Sequence, residues 1–262
     1  MNLDLTGKKA LVCGSTQGLG LSSAVELALL GCNVVLMARN EKKLKDALKI
    51  LDISKGQKHQ YIIADFQFPQ VVKNAIVKYL SKKNIINILV NNTGGPKGGS
   101  AVDAEPEEFL FAFNSHLICN QLLMNAVLPG MKKSGYGRIV NIISASVKEP
   151  IAGLAVSNTI RGAVASWAKT LANELGEFGI TVNNVLPGFT RTARFDSLKK
   201  SRAGQAGVTE DKVEQNIVST IPLKRIGNAA EFGAAVAFLC SPAASYISGI
   251  NLPVDGGKLA CL

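Results

Sequence analysis

Aromatic residues, histidines and long apolar runs are all scarce in this chain of 262 residues. Aromatic side chains account for 6% of it, and it has two histidines and one tryptophan. No stretch approaches the ~20 apolar residues of a membrane-spanning helix, and the first residues lack the apolar core of a secretory signal. We therefore expect a cytoplasmic protein without a membrane partner.

Motifs for metal, disulfide and hydrolase chemistry are missing as well. The five cysteines form no Cys-x-x-Cys pair, so neither a zinc site nor a disulfide framework is predicted. No Gly-x-Ser-x-Gly segment is present to mark a hydrolase nucleophile. The net charge of +10 is spread along the chain, without the features of a nucleic-acid site. Part of this charge can instead attract an anionic cofactor or substrate, and we expect no nucleic-acid partner.

Short apolar runs alternate along the chain with longer segments of helical pattern. The runs are too continuously apolar to be half-exposed, which indicates a sheet covered on both faces. Alternation of this kind predicts α/β architecture, a Rossmann-type doubly wound parallel sheet in a single domain, 1–262. The predicted strands are 10–12, 34–37, 61–63, 86–90, 139–143 and 182–186, and the predicted helices are 18–30, 41–52, 105–129, 157–178 and 229–240.

A glycine-rich segment joins the first predicted strand to the first helix. Its spacing is Gly-x-x-x-Gly-x-Gly. Glycines allow a tight turn and a close approach of the backbone to a diphosphate, and the free N–H groups at the helix start attract its charge. We therefore predict that this segment binds a dinucleotide, with contacts from Gly14, Ser15, Thr16, Gln17, Gly18, Leu19 and Gly20.

The residue that ends the second strand separates the two nicotinamide cofactors. An acidic residue there would bond the ribose of NAD and repel a 2′-phosphate. This chain has Ala38, Arg39 and Asn40 at that point, and a guanidinium binds phosphate well. The sequence favours NADP over NAD, with Arg39 as the phosphate ligand. The alternative is that Arg39 is a solvated loop residue.

Several further segments resemble the short-chain dehydrogenase/reductase family one after another. They include 91–94, 187–192, 221–225 and 253–257, so that with the glycine turn the resemblance covers nearly the whole chain. It implies that additional residues hold the adenine, ribose, nicotinamide and diphosphate. These are Asp65, Phe66, Asn92, Gly94, Pro187, Gly188, Thr190 and Thr192.

The catalytic segment departs from that family's pattern. The resemblance leads one to expect a tyrosine thirteen residues after Ser144 and a lysine four residues later, but the chain has Ser157 and Arg161. It implies that Ser144 positions the substrate oxygen, that Arg161 contacts the ribose and the developing charge, and that Asn114 holds a proton-relay water. Ser157 and Arg161 share a helix face because they are four residues apart.

The source of the catalytic proton stays open at this level. A serine hydroxyl is a far weaker acid than a phenol of pKa about 10, so water, the substrate itself or His116 would have to serve. His116 has a suitable ordinary pKa. It follows Asn114 by two residues, however, and therefore points about 200° away around a helix. We assign it a role in packing or subunit contact.

The segment 189–221 corresponds to the family's mobile substrate lid. It is rich in basic residues, which favours an anionic substrate or an acyl-thioester carrier, although a solvated flexible loop would look the same. The helices 105–129 and 157–178 are those that the family uses for dimer and tetramer contacts. We expect a homodimer or homotetramer.

Two hypotheses about function remain. The first is an NADP-dependent oxidoreductase of the short-chain type, acting on a small-molecule carbonyl/alcohol pair such as a 3-oxoacyl thioester, with an atypical proton donor. The second is an inactive NADP(H)-binding pseudoenzyme that serves as a sensor or structural partner.

Overall fold

A parallel sheet of seven strands forms the centre of the protein. The computed structural model describes residues 1–261. The strands are β1 (Lys9–Cys13), β2 (Asn33–Ala38), β3 (Gln60–Ile63), β4 (Ile88–Asn91), β5 (Gly137–Ile142), β6 (Ile180–Pro187) and β7 (Asn251–Val254). Their order in the sheet is β3-β2-β1-β4-β5-β6-β7, which confirms the predicted doubly wound fold.

Helices cover both faces of this sheet. Among them is a single π-helical turn, Asn114–Ile118, between two α-helices of one continuous segment. The α-helices are α1 (Gly18–Leu29), α2 (Glu41–Leu48), α3 (Pro69–Leu80), α4 (Pro106–Phe113), α5 (Cys119–Ser134), α6 (Ala155–Leu175), α7 (Ala193–Ala206), α8 (Glu210–Ser219) and α9 (Ala229–Cys240).

The core has two parts, one on each face of the sheet. On one face, α1, α2 and α9 pack over the central strands, with Leu27 and Phe232 fully buried. Here α1 and α9 approach closely, since a Cβ added at Gly233 would lie 2.7 Å from Ser22 O. On the other face, α3, α5 and α6 bury a second apolar cluster. The two layers explain why the strands read as continuous apolar runs.

Four asparagines form a ladder across strands β4 to β7 of the sheet. Asn91, Asn141, Asn184 and Asn251 are in register on β4 to β7. Each side-chain amide donates to the next oxygen, at 2.8, 2.9 and 2.8 Å. Bonds between buried amides stabilise the sheet because an unpaired amide there would lose its hydration. The ladder fixes the register of these four strands relative to one another.

The segment between Phe189 and Ile221 is helical over most of its length, unlike the solvated loop that was the alternative to a substrate lid. It forms α7 and α8, whose buried residues Phe195 and Ile217 belong to a third apolar cluster. Glu214 accepts from both Arg191, at 2.9 Å, and Lys199, at 2.8 Å. Part of the basic charge of this segment is therefore already paired within the protein.

Candidate functional site

The predicted site residues gather where the strands end. In a doubly wound sheet, ligands bind outside the carboxyl ends of the strands, where the strand order reverses. In this protein the reversal lies between β1 and β4. The glycine segment follows β1, and Asn92 follows β4, so both border the same crevice.

The glycine turn after β1 is packed too tightly for side chains. Gly14 and Gly18 have φ of 56° and 58°, the left-handed region that glycine tolerates best. A Cβ at Gly14 would lie 2.7 Å from Asn92 O, and one at Gly20 would collide with Gly14 O. The Asn92 amide donates to Gly14 O at 3.1 Å and holds the turn in place. The turn has the form needed to cradle a diphosphate.

The start of α1 is left free for an anion. Gln17 is the N-cap residue, but its side chain makes no capping bond, and the first turn carries no acidic residue. The four free N–H groups of a helix start therefore remain available to a phosphate. Ser15 is buried, and its hydroxyl accepts from Met37 N at 3.1 Å. Thr16 and Leu19 flank the turn and are partly exposed.

Arg39 and Asp65 face each other across the ends of β2 and β3. Arg39 Nη1 and Asp65 Oδ2 are 3.9 Å apart, and the Arg39 side chain is 68% exposed. This loose ion pair leaves the guanidinium available for a phosphate. Phe66 lies differently, because its side chain is buried in the apolar cluster under α3 and α5. Of the predicted adenine pair, Asp65 is the residue whose side chain borders the crevice.

The segment after β6 closes over the glycine turn. Gly188 touches Asp255, so that a Cβ there would lie 2.6 Å from Asp255 Cβ. The Thr192 hydroxyl caps α7 by accepting from Phe195 N at 3.3 Å. Thr192 Cγ2 would lie 3.6 Å from a Cβ at Gly18. The structure thus brings the segment that begins with Pro187 and includes Thr190 to the glycine turn, as predicted. Gly94 is exposed in the loop after β4.

Ser144 follows β5, and Arg161 bonds to the last residue of that strand. The Ser144 hydroxyl accepts from Ser146 N at 3.1 Å. Arg161, on α6, is 8% exposed and donates from Nη1 to Ile142 O at 3.0 Å. Burial and the charge of Arg194 lower the pKa of Arg161 to about 10, so it remains cationic at neutral pH. Ser157 lies one helical turn before Arg161 and is partly exposed.

Asn114 and His116 differ in burial, and the role predicted for Asn114 stays a prediction. Asn114 is exposed, whereas His116 is 3% exposed and contacts Thr93 Oγ1 through Nδ1. The two side chains do point apart, but the π-helical turn directs His116 inward. The spacing of residues along this helical segment could have indicated that His116 faces inward. His116 continues the four-residue spacing of buried positions that Ala112 begins, whereas Asn114 does not.

His116 is a neutral residue in this environment. Burial, together with the charges of Arg161 and Arg194, lowers its pKa to about 2. The imidazole therefore carries one proton at neutral pH and acts as a hydrogen-bonding group rather than as a cation. When the Thr93 hydroxyl donates to Nδ1, that proton is on Nε2, and the ring can donate it toward the cleft.

Other classes of site are not supported by the described part of the chain. Within residues 1–261 there is no group of three or more His, Cys, Asp or Glu side chains that could hold a metal. No helix in the same range is long and apolar enough to span a membrane. A glycine cradle, a free helix start and a cationic cleft at the point of strand reversal define a dinucleotide-binding α/β protein.

Comparison with known proteins gives the family. The family model described as enoyl-(acyl carrier protein) reductase matches residues 14–258. NADPH-dependent reductase BacG of Bacillus subtilis is 27% identical over 97% of this chain and 99% of its own length. The 3-oxoacyl-[acyl-carrier-protein] reductase FabG of Haemophilus influenzae is 32% identical over 97% of this chain and 98% of its own. This chain belongs to the short-chain dehydrogenase/reductase family.

Solved structures agree with this assignment. The crystal structure of L-sorbose reductase from Gluconobacter frateurii, complexed with NADPH and L-sorbose, has a TM-score of 0.93 to this protein. The two chains are 28% identical, and the match covers 100% of each. The similarity therefore includes the sheet, both helical layers and the segments that border the crevice.

Proposed function

We propose that this protein is an NADPH-dependent oxidoreductase that interconverts a carbonyl compound and its alcohol. The observation that carries the proposal is the glycine turn packed against Asn92, together with a β2 end that has Arg39 and no carboxylate. BacG and L-sorbose reductase, both similar to this chain, are named as using or binding NADPH.

The residues of the crevice fit NADPH by their chemistry. The turn from Gly14 to Gly20 and the uncapped start of α1 would hold the diphosphate. Arg39 would bind the 2′-phosphate through a charge-assisted bond. Arg161 has five N–H donors and uses one of them on Ile142 O, so others can reach a ribose hydroxyl. When bound, NADPH supplies the hydride that reduces the carbonyl carbon.

Three side chains would act on the substrate oxygen. The Ser144 hydroxyl would donate a hydrogen bond to it, and the Arg161 guanidinium would stabilise the negative charge that develops there as the hydride arrives. The neutral His116 ring would donate a hydrogen bond to the same oxygen. This bond would stabilise the developing charge while the ring keeps its proton. The permanent charge of Arg161 replaces the lysine of the family pattern.

The proton that completes the alcohol would come from water. Ser157 has a much shorter side chain than tyrosine, so a water molecule fits between it and the substrate oxygen. Ser157 and His116 would orient that water while the substrate alkoxide takes its proton, and the hydroxide left behind would take a proton from bulk solvent. An alkoxide is a strong enough base to accept a proton from water, so no phenol is needed, although the step is slower.

The class of carbonyl substrate is broad among the relatives. The names of the similar proteins include a reductase of 3-oxoacyl carrier-protein thioesters and a reductase of L-sorbose. A 3-oxoacyl thioester thus remains one candidate for this protein. The α7–α8 pair would act as the substrate lid, because it borders the crevice beside Thr192.

We also propose that the protein forms a homodimer or homotetramer in the cytoplasm. Leu110, Phe111 and Phe113 on α4 are 61%, 47% and 36% exposed. Exposed apolar side chains next to one another favour contact with a second copy of the chain. Light scattering of the purified protein would report the subunit number, and a monomer would contradict this proposal.

The test is NADPH oxidation by the purified protein. Binding of NADPH and NADH is measured by fluorescence, and turnover is then followed with a panel of ketones, keto sugars and 3-oxoacyl thioesters. We expect tighter binding of NADPH and turnover of at least one carbonyl class. Ser144→Ala should lower kcat about 100-fold, while Ser166→Ala, an exposed position on α6, should not. Tight NADPH binding without any turnover would favour the pseudoenzyme hypothesis instead.

A further inference from the structure

Arg194 enters the cleft from the first turn of α7. Thr192 caps this helix, which fixes the position of its first residues. The Arg194 guanidinium lies against Gly95 in the loop after β4, where a Cβ would be 2.9 Å from Nη2. Any larger residue at position 95 would push the guanidinium away. Arg194 is exposed, so the guanidinium is accessible to a ligand in the cleft.

The cleft holds positive charge without a balancing carboxylate. Arg194 lies against Gly95, two residues after the Thr93 that contacts His116, and its charge lowers the pKa of both Arg161 and His116. Neither guanidinium forms an ion pair with an acidic residue among residues 1–261. Arg191, three residues earlier, is by contrast paired with Glu214. Two like charges facing one cleft are unfavourable unless a ligand brings an anion.

The cofactor's phosphates have other ligands. The glycine turn and the start of α1 are suited to the diphosphate, and Arg39 is suited to the 2′-phosphate. Both lie on the β1 and β2 side of the crevice. Arg194 is instead near Arg161 and His116, at the ends of β4 and β5, where the substrate carbonyl would react. Its charge is therefore placed to meet the substrate.

We propose that the substrate is an oxo acid, whose carboxylate binds Arg194 while its carbonyl oxygen lies at Ser144, His116 and Arg161. A guanidinium presents two parallel N–H groups that match the two oxygens of a carboxylate. Arg194 lies against Gly95, two residues after the Thr93 that contacts His116, so we expect only a few bonds between the carboxylate and the carbonyl. This inference rests on the proposed reductase function and narrows its substrate class.

The experiment compares acids with their uncharged counterparts. Pyruvate and acetoacetate, each beside its methyl ester, are tested as substrates with NADPH. Oxamate and the neutral oxamide are titrated against the enzyme–NADPH complex as unreactive ligands. The variants are Arg194→Gln and a matched control, Lys200→Gln, which removes one exposed charge from the same helix. NADPH affinity is measured for each variant.

The expected result is a preference for the charged ligands of about 10–100-fold, the strength of a charged hydrogen bond. Arg194→Gln should abolish this preference and leave NADPH affinity unchanged, and Lys200→Gln should keep it. The inference would be overturned if the esters were reduced as well as the acids and oxamate bound no more tightly than oxamide. A loss of NADPH affinity in Arg194→Gln as large as its loss of acid preference would also overturn it.

The outcomes also separate this inference from the proposed function. If no carbonyl compound is reduced but oxamate still binds through Arg194, the reductase proposal fails and the anion site stands. If carbonyls are reduced without regard to charge, the reductase proposal stands and the oxo-acid class is rejected. If nothing is reduced and oxamate binds no better than oxamide, both are rejected.

Discussion

The two ends of the crevice differ in which part of the chain carries their chemistry. At the nucleotide end, backbone groups and glycines make the cradle, and Gly14, Gly20 and Asn92 pack as the family pattern requires. At the reaction end we place the chemistry on side chains, and there Ser157 and Arg161 stand where the resemblance leads one to expect a tyrosine and a lysine. A backbone cradle tolerates little change because a single Cβ would fill it. A set of side chains can be replaced by another set that holds charge and protons differently.

Under the proposed function, this difference would allow a cofactor to be kept while Ser157 stands where the resemblance leads one to expect a tyrosine. Binding of a dinucleotide depends on the turn and on the start of α1, which lie far along the chain from Ser157. The reaction end has compensating features: a buried guanidinium at Arg161 and a neutral imidazole at His116. The account predicts that changes at the two ends affect different steps.

The largest effect is expected when the reaction end loses its buried charge. Arg161→Met should lower kcat/KM by about 10²–10³-fold, because charge developing on the substrate oxygen would lose its main stabilising group. Arg161→Lys keeps a cation and should lower kcat/KM by about tenfold or less. Steady-state kinetics measure both. Equal losses in the two variants would show that charge is not what Arg161 contributes.

At the nucleotide end, a change should affect cofactor choice and leave the chemical step alone. Arg39→Ala should weaken NADPH binding by about 10–100-fold, since a charge-assisted bond to the 2′-phosphate is lost. NADH lacks that phosphate and should bind as before. Lys42→Ala, an exposed position nearby, serves as the control. Fluorescence titration measures the dissociation constants, and an equal loss for both cofactors would contradict the role of Arg39.

The buried histidine should make stability depend on pH. Its pKa is about 2 in the folded protein but about 6.5 in the unfolded chain. As the pH falls below 6.5, the unfolded chain takes up a proton that the folded protein excludes. The contribution of His116 to the free energy of unfolding is therefore complete above pH 6.5 and is lost as the pH falls below it. Between pH 7 and pH 5, the free energy of unfolding of the unsubstituted protein should fall by roughly 2 kcal/mol more than that of His116→Asn.

Urea unfolding at pH 5, 6 and 7 measures this difference. Parallel pH dependence in the two proteins would mean that His116 takes up a proton without cost in the folded state.

A smaller effect is expected from moving Arg194 without removing its charge. Gly95→Ala would displace the guanidinium, because the added methyl group would lie 2.9 Å from Nη2. The KM for an oxo acid should rise about threefold while that for its ester stays constant. Gly204→Ala on α7, where a Cβ meets open space, is the control. A rise for acid and ester alike would indicate general disturbance of the cleft.

Much of the fold was predictable because strongly apolar strands and amphipathic helices leave clear patterns. The helix over 229–240 was predicted with its observed bounds, Ala229–Cys240. In contrast, α7 and α8 were not predicted. Only Phe195 and Ala203 of α7 are buried, which is too thin an apolar stripe to stand out among basic residues. Strand β7 was not predicted either, because it is short and partly exposed and contains a proline.

The nucleotide end was also predictable, because glycine spacing is a property of the local chain. The reaction end was predictable only in part. Arg161 bonds to Ile142 O, two residues before Ser144. Asn114 was assigned by local resemblance, while the π-helical turn that directs His116 inward depends on packing. The role of Arg194 arises from contact with Gly95, about a hundred residues away in the chain. Such contacts leave no local pattern.

The most direct test of the account is the rate of a single turnover of bound NADPH in two variants. His116→Ala removes the imidazole that we place at the substrate oxygen, and Ser157→Ala removes the hydroxyl at the tyrosine position. NADPH affinity and thermal unfolding confirm that each variant is folded and loaded. The account predicts that His116→Ala slows the step about 100-fold, whereas Ser157→Ala, which only helps to orient water, slows it about tenfold or less. A larger loss in Ser157→Ala than in His116→Ala would contradict it.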